Sequence, residues 1–246
     1  DGQEIPEIDY SPLFVYDNQI LATNMTQEFT FTLYGVKDGK VYEGETVTCS
    51  AESLALAKLV DYEKAGNLAT CTVLVDMLKY GAAAQAYFES KYAPANANIG
   101  EYAKYETKGD PVLSAVNNVP SGVNPKPYTT AMSLQSLLEI NCLYLTNLSA
   151  YEAVVQIEGE APETYQFDTS TGYYTLRIPV GAMKVRSQCT VTLVDKTTKA
   201  PVTESFICSA EGCANDKVSA TNTDPKLKAL MNAMMNYGDA VVKAFG

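Results

Sequence analysis

Histidine and tryptophan are both absent from this 246-residue chain. Without histidine there is no Ser-His or Cys-His dyad, and the commonest general base and metal ligand are missing. That disfavours most hydrolases and metalloenzymes, and no catalytic residue, metal ligand or cofactor is expected. Without tryptophan the favoured anchor for sugars and interfaces is missing, although 17 tyrosines can take that role. Positive charge is scarce as well, with 18 Lys and Arg against 29 Asp and Glu, a net charge of −11. Such a surface repels phosphate backbones and anionic lipid, so no nucleic acid partner is expected. No apolar run approaches the length that spans a bilayer, so no membrane insertion is expected either. A chain that opens at Asp1 with no leader reads as a mature or excised piece of a longer secreted protein.

What is present suffices for real cores, since 46% of the residues are apolar. The six cysteines are too scattered for a disulfide scaffold, and none forms a CxxC pair. They read as small buried apolar residues. The alternative is a pairing such as Cys142 with Cys189, both on the apolar phase of expected strands.

The main organisational signal is internal repetition. Phe29-Thr-Phe-Thr-Leu33 matches Cys189-Thr-Val-Thr-Leu193, and Thr48-Cys-Ser-Ala-Glu52 matches Ile207-Cys-Ser-Ala-Glu211. Met77-Leu-Lys-Tyr-Gly81 then matches Met234-Met-Asn-Tyr-Gly238, and Phe88 matches Phe245. The offset drifts from 160 (Phe29 to Cys189) to 157 (Gly81 to Gly238), as a duplication with small loop changes requires.

Each block has a local reading. Phe29 to Leu33 alternates with period two, Asp38-Gly39 suits a hairpin turn, and Val41 to Cys49 returns as the partner strand. Ser50 is placed to cap a helix through Ala51 to Lys64, which Gly66 ends. A second helix is expected over about Thr70 to Tyr92, burying Val73, Leu74, Met77, Gly81, Ala84 and Phe88. Its counterpart runs from Pro225 to Phe245, with Leu227, Leu230, Met231, Met234, Gly238 and Val241 inward. Mid-helix Gly81 and Gly238 mark a place where another backbone is expected to pack close.

Further strands are expected at Ala131 to Leu145, Tyr151 to Glu158 and Tyr173 to Pro179. With Cys189 to Val194 and Val202 to Cys208 they make five. The expected fold is α+β: two related units, each an Ig-like antiparallel β-sandwich with packed helices, the first unit incomplete. Residues 1–93 form the first unit, lacking its leading strands. Residues 94–128 are a linker rich in Pro, Gly and Asn, with a helical turn expected at Pro111 to Asn117. Residues 129–246 form the second unit.

The helix Leu78-Lys-Tyr-Gly-Ala-Ala-Ala-Gln-Ala-Tyr-Phe88, with its partial echo at Asn236-Tyr-Gly238, resembles a tandem strand-plus-helix repeat. That repeat occurs in large secreted and cell-wall proteins of gut Firmicutes. The resemblance spans about Ala22 to Phe245 and implies a module of a bacterial surface protein, extracellular and cell-wall associated. It brings no catalytic residues. In that setting the expected function is non-catalytic adhesion to a host or neighbouring surface protein, a host glycoprotein or immunoglobulin bound in superantigen fashion. A carbohydrate-binding module and a structural spacer are the alternatives.

Carboxylate pairs such as Glu158 with Glu160, or Asp61 with Glu63, are adjacent in sequence but carry no sign of burial. Asp38 and Asp195 sit in turns too sparse for calcium. Tyrosine offers rigid amphipathic contact area, so Tyr151, Tyr165, Tyr173 and Tyr174 are the candidate binding residues, toward protein or glycan.

Overall fold

The computed structural model describes residues 20–134 and 138–246. Residues 1–19, which open the expected first unit, and residues 135–137, inside the expected strand from Ala131 to Leu145, lie outside the described residues.

The alternating Phe/Thr segment forms β1 (Phe29–Lys37) and turns back into β2 (Lys40–Cys49). Asp38 and Gly39 adopt φ of 52° and 72°, the left-handed pair that a tight hairpin turn requires. Phe29 lies opposite Cys49 and Phe31 opposite Val47 on one face. On the other face Thr30 meets Thr48 and Thr32 meets Thr46, their hydroxyls 3.0 and 2.8 Å apart. A bulge at Gly44 and Glu45, opposite Leu33, shifts the register before Tyr34 meets Glu43.

Helix α1 (Ala51–Lys64) begins at Ser50 in a reciprocal cap. Ser50 Oγ accepts the Ser53 N–H at 3.0 Å, and Ser53 Oγ accepts the Ser50 N–H at 2.8 Å. Gly66, at φ 72°, follows its end. Helix α2 (Leu68–Tyr87) is shorter than expected. Phe88 is its C-cap and half-exposed, so the inward stripe ends at Ala84.

The later strands are β3 (Thr129–Leu134), β4 (Leu138–Tyr144), β5 (Tyr151–Ile157), β6 (Glu163–Tyr165), β7 (Tyr174–Pro179), β8 (Cys189–Asp195) and β9 (Phe206–Cys208). Helices α3 (Ala210–Ser219) and α4 (Pro225–Phe245) follow. Seven strands therefore stand where five were expected. The long strand from Ala131 to Leu145 is an antiparallel pair with Met132 opposite Ile140. Met132 and Leu134 in β3 and Leu138, Ile140, Cys142 and Tyr144 in β4 all fall on one period-two phase, so the two strands read as one. The strand expected from Val202 shrinks to Phe206–Cys208, and β6 is a three-residue edge strand.

Among the described residues all pairing is antiparallel, in three sheets: β1-β2, β3-β4-β7 and β6-β5-β8-β9. The last two share a core. Ile140, Cys142, Tyr144, Leu176 and Ile178 from one meet Ala153, Val155, Val191, Leu193 and Phe206 from the other.

One order of elements runs twice along the chain. A 3-10 turn at Ala22–Asn24 leads into β1, β2, α1 and α2, and another at Ala182–Lys184 leads into β8, β9, α3 and α4. Individual contacts recur with it. The Glu52 N–H donates to Met25 C=O at 2.9 Å, and the Glu211 N–H to Val185 C=O at 3.0 Å. Ser209 Oγ caps α3 through the Gly212 N–H at 2.9 Å, as Ser50 caps α1. A Cβ on Gly81 would strike the Met25 thioether, and one on Gly238 would strike Val185. At Gly238 the Ala182 carbonyl also comes within 3.1 Å, the expected close backbone, whereas at Gly81 the crowding atoms belong to the Met25 and Ala95 side chains instead. Helices α2 and α4 pack together, with Tyr80 and Tyr237 stacked at 6.1 Å and 8°.

Residues 94–128, expected as a linker, hydrogen-bond to elements before and after them in the chain. The Ala95 N–H donates to Gln85 Oε1 at 2.7 Å, and the Ser114 N–H donates to Glu211 Oε1 at 2.8 Å. The helical turn expected at Pro111 to Asn117 is not formed. The extended form lets Ser114 and Ala115 reach the buried Glu211 carboxylate and lets Asn118 bridge to Ile207 on β9. The 3-10 turn of the linker lies earlier, at Gly100–Tyr105.

Candidate functional site

Three of the four candidate tyrosines fill space. Tyr151, Tyr165 and Tyr174 are half-buried and pack against the core. The Tyr174 hydroxyl donates to Asn147 Oδ1 at 2.9 Å, and its ring lies 6.3 Å from Phe167. Phe167 in turn meets Tyr144 edge to face at 5.6 Å. The Tyr165 hydroxyl donates to Glu163 at 3.2 Å. Tyr173 is the one half-exposed ring, at 49%.

Among the described residues, a run of exposed apolar side chains lies on the β1–β2 hairpin. Leu33 is 74% exposed, Val36 73%, Val41 68%, and Tyr34, Tyr42 and Val47 are each more than half exposed. By strand alternation Leu33, Tyr42 and Val47 lie on the Phe31 face of this ribbon and Tyr34, Val36 and Val41 on the threonine face, so apolar side chains are exposed on both of its sides. The hairpin is locally built to stand: the left-handed turn fixes its register at the tip, and the threonine ladder ties the strands near its base. Its period-two alternation is the pattern of a half-buried strand. What that pattern could not supply is the presence or absence of a covering layer.

A second feature is a polar cleft of about 310 Å³ between α2, α4 and the linker, lined by Asp76, Lys79, Glu106, Thr107, Asn232 and Asn236 among others. Asp76 is buried, and burial pushes its carboxyl up, against hydrogen bonds from the Thr107 hydroxyl at 2.6 Å and N–H at 3.1 Å. Glu106 moves the other way. Hydrogen bonds from Lys108 and Lys79, both 2.6 Å, hold it below the usual range. Asn236 Nδ2 donates to the Gly109 carbonyl at 3.1 Å, and the buried Asn232 Oδ1 has no partner. Both carboxylates are thus occupied in pinning the 106–109 turn to α2. Asp76 was visible in the sequence as the one charge within Val73-Leu-Val-Asp-Met-Leu78. Its link to Glu106 was not.

Elsewhere acidic groups serve as clamps. Arg186 grips Asp239 through Nε at 2.5 Å and Nη2 at 2.7 Å, and reaches the buried Glu211 at 3.0 Å. Asp195 accepts the N–H groups of Thr197 and Thr198 at 2.9 and 2.8 Å, as a turn residue does. Among the described residues no group of three or more Cys, Asp or Glu is placed to hold a metal ion. No described helix is long and apolar enough to cross a membrane.

Compared with known proteins, the chain matches no family model, no curated sequence and no solved structure.

Proposed function

We propose that this chain is a non-catalytic binding module of an extracellular bacterial surface protein, and that it meets a protein partner through the β1–β2 hairpin. The carrying observation is the exposed apolar hairpin, with Leu33 and Val36 about three-quarters exposed. In this reading the chain comprises two units of one repeat. The second is an Ig-like sandwich; the β3-β4-β7 and β6-β5-β8-β9 sheets around one core support that. The first unit is the incomplete copy, whose hairpin is left to a partner. Immunoglobulin is the partner to test first, on an association of setting and not of motif.

The experiment is direct binding of purified immunoglobulin fragments to immobilised wild type and to a Leu33→Lys, Val47→Lys variant. Binding that falls at least tenfold in the variant, with an unchanged melting temperature, is the expected result. Equal binding by both chains removes the hairpin from the reading. No binding by either removes immunoglobulin.

A second reading rests on the cleft. Two carboxylates displaced in opposite directions beside one cavity are the arrangement that acid–base catalysis uses. The hydrogen bonds that occupy Asp76 and Glu106 favour a structural role. Asp76→Asn separates the two: a structural clamp loses stability, whereas a catalytic acid loses turnover on a glycan panel while the fold holds.

A further inference from the structure

The strand pair that precedes each serine-capped helix occurs twice, and one copy has a neighbour along its first strand. In the second half β5 lies antiparallel against β8, with Gln156 opposite Thr190, Val154 opposite Thr192 and Glu152 opposite Val194. β1 stands at the matching place in the first half, and among the described residues it pairs with β2 alone.

The ladder fixes which backbone groups of β1 face outward. Ile207 directs its N–H and its C=O to Asn118, at 3.0 and 2.9 Å, so Phe206 and Cys208 turn theirs toward β8. Cys189 and Val191 answer them, which leaves the N–H and C=O groups of Thr190, Thr192 and Val194 to β5. The offset of 160 from Phe29 to Cys189 carries these three onto Thr30, Thr32 and Tyr34. The turn of the first hairpin gives the same parity independently. A two-residue loop at Asp38-Gly39 makes Lys37 and Lys40 a hydrogen-bonded pair, so Lys37 and Gly35 bond inward while Val36 and Tyr34 point out. A row of outward N–H and C=O groups is a template for a further strand.

We propose that the outer edge of β1 is a strand-addition site, which rests on the hairpin being the docking element: it takes an extended segment of a partner protein, antiparallel to residues 30–36. β5 is the template for the occupant, because it fills the matching edge of β8. Laid on β1 in the same register, Ala153 falls beside Leu33 and Ile157 beside Phe29, while Val154 falls beside Thr32. The segment recognised therefore carries small or branched apolar side chains at alternate positions, on the face it shares with Leu33. Main-chain hydrogen bonds hold such a segment, and the alternate side chains select it. Apolar exposure on both sides of the ribbon fits this mode, since an added strand extends both faces at once.

The test titrates the whole chain into a fluorescent synthetic peptide of residues 150–158, read by anisotropy. In the proposed register Val154 exchanges hydrogen bonds with Thr32, whereas the Val155 N–H points away from β1. N-methylation at Val154 should weaken binding about tenfold, and N-methylation at Val155 should leave it unchanged. On the protein side Thr32→Pro removes an outward N–H, a change that an edge strand tolerates, and should weaken binding to the same extent. No binding of the unmodified peptide, equal binding of the two methylated peptides, or full binding by Thr32→Pro overturns strand addition. Sedimentation of the chain alone is the control: a dimer that Thr32→Pro dissolves makes a second copy the occupant and overturns the partner strand. Immunoglobulin binding that is lost in the Leu33→Lys, Val47→Lys variant but kept by Thr32→Pro also overturns strand addition, yet leaves the hairpin as the docking element. The two readings thus fail separately, and the methylated peptides need no variant to fold.

Discussion

The β1–β2 and β8–β9 hairpins begin from matching sequence and end in opposite surroundings. Leu193 is fully buried, whereas Leu33, in the same place in the Thr-alternating block, is 74% exposed. Both strands alternate apolar side chains with threonine, and both lead into a serine-capped helix. The difference lies in the neighbours. β8 pairs with β5 along seven residues and faces the β3-β4-β7 sheet, while β1 and β2 form a two-stranded sheet among the described residues. Local sequence specifies a strand, and the layer laid over that strand decides whether its apolar face becomes core or contact surface.

The largest effect that can break this comparison is truncation of the matched leucines. Leu193→Ala should cost about 2–5 kcal/mol, as buried leucines do. Leu33→Ala should stay within about 0.5 kcal/mol, as exposed positions do. Urea unfolding of the two variants measures both, and equal costs would mean the hairpins share one environment.

Next come the paired glycines. Gly238→Ala drives a methyl into the branched Val185 and within 3.1 Å of the Ala182 carbonyl, so a loss of about 1–3 kcal/mol is expected in thermal melts. Gly81→Ala meets the end of the flexible Met25 side chain, which can swing aside, so its loss should be the smaller. A third contrast is between caps. Ser209→Ala and Ser50→Ala should each cost about 1 kcal/mol. Ser53→Ala should matter in α1, whose cap is reciprocal, and it has no counterpart in α3, where Gly212 occupies the place.

The smallest effect is pH-dependent. The Ser170 backbone and side chain, with Arg177, lower the Asp168 carboxyl to about 2. A carboxyl depressed on folding stabilises at pH above its unfolded value, near 4, and that contribution fades as pH falls toward 2. The stability gap between wild type and Asp168→Asn should close over that window in an acid titration. A gap that widens there would contradict the assignment.

Much of the architecture was legible because its signals are local. The Asp38-Gly39 turn, the Ser50 and Ser209 caps and the close-packed Gly81 and Gly238 each depend on a few adjacent residues. The α4 stripe from Leu230 to Val241 is likewise a matter of helical period. What escaped depends on contacts far apart in the chain. The split of Ala131–Leu145 into β3 and β4 is hidden because both strands keep their apolar residues on one period-two phase, and the extended path of Pro111 to Asn117 is set by Glu211, about a hundred residues later. The candidate tyrosines were chosen for residue type, and type does not tell a plug such as Tyr174 from a presented ring such as Tyr173. The cleft joins Asp76 to Glu106 through a linker fold that no pattern encodes.

The most direct test of the central contrast is native-state hydrogen exchange, comparing backbone amides of β1–β2 with those of β8–β9. An uncovered ribbon opens locally, whereas core strands open with the whole fold. The account predicts that β8 amides such as Val191 and Leu193 exchange at the slow global rate, while those of Val36, Val41 and Tyr42 exchange far faster. Equal protection of the two hairpins would contradict it, because the first would then be as well covered as the second.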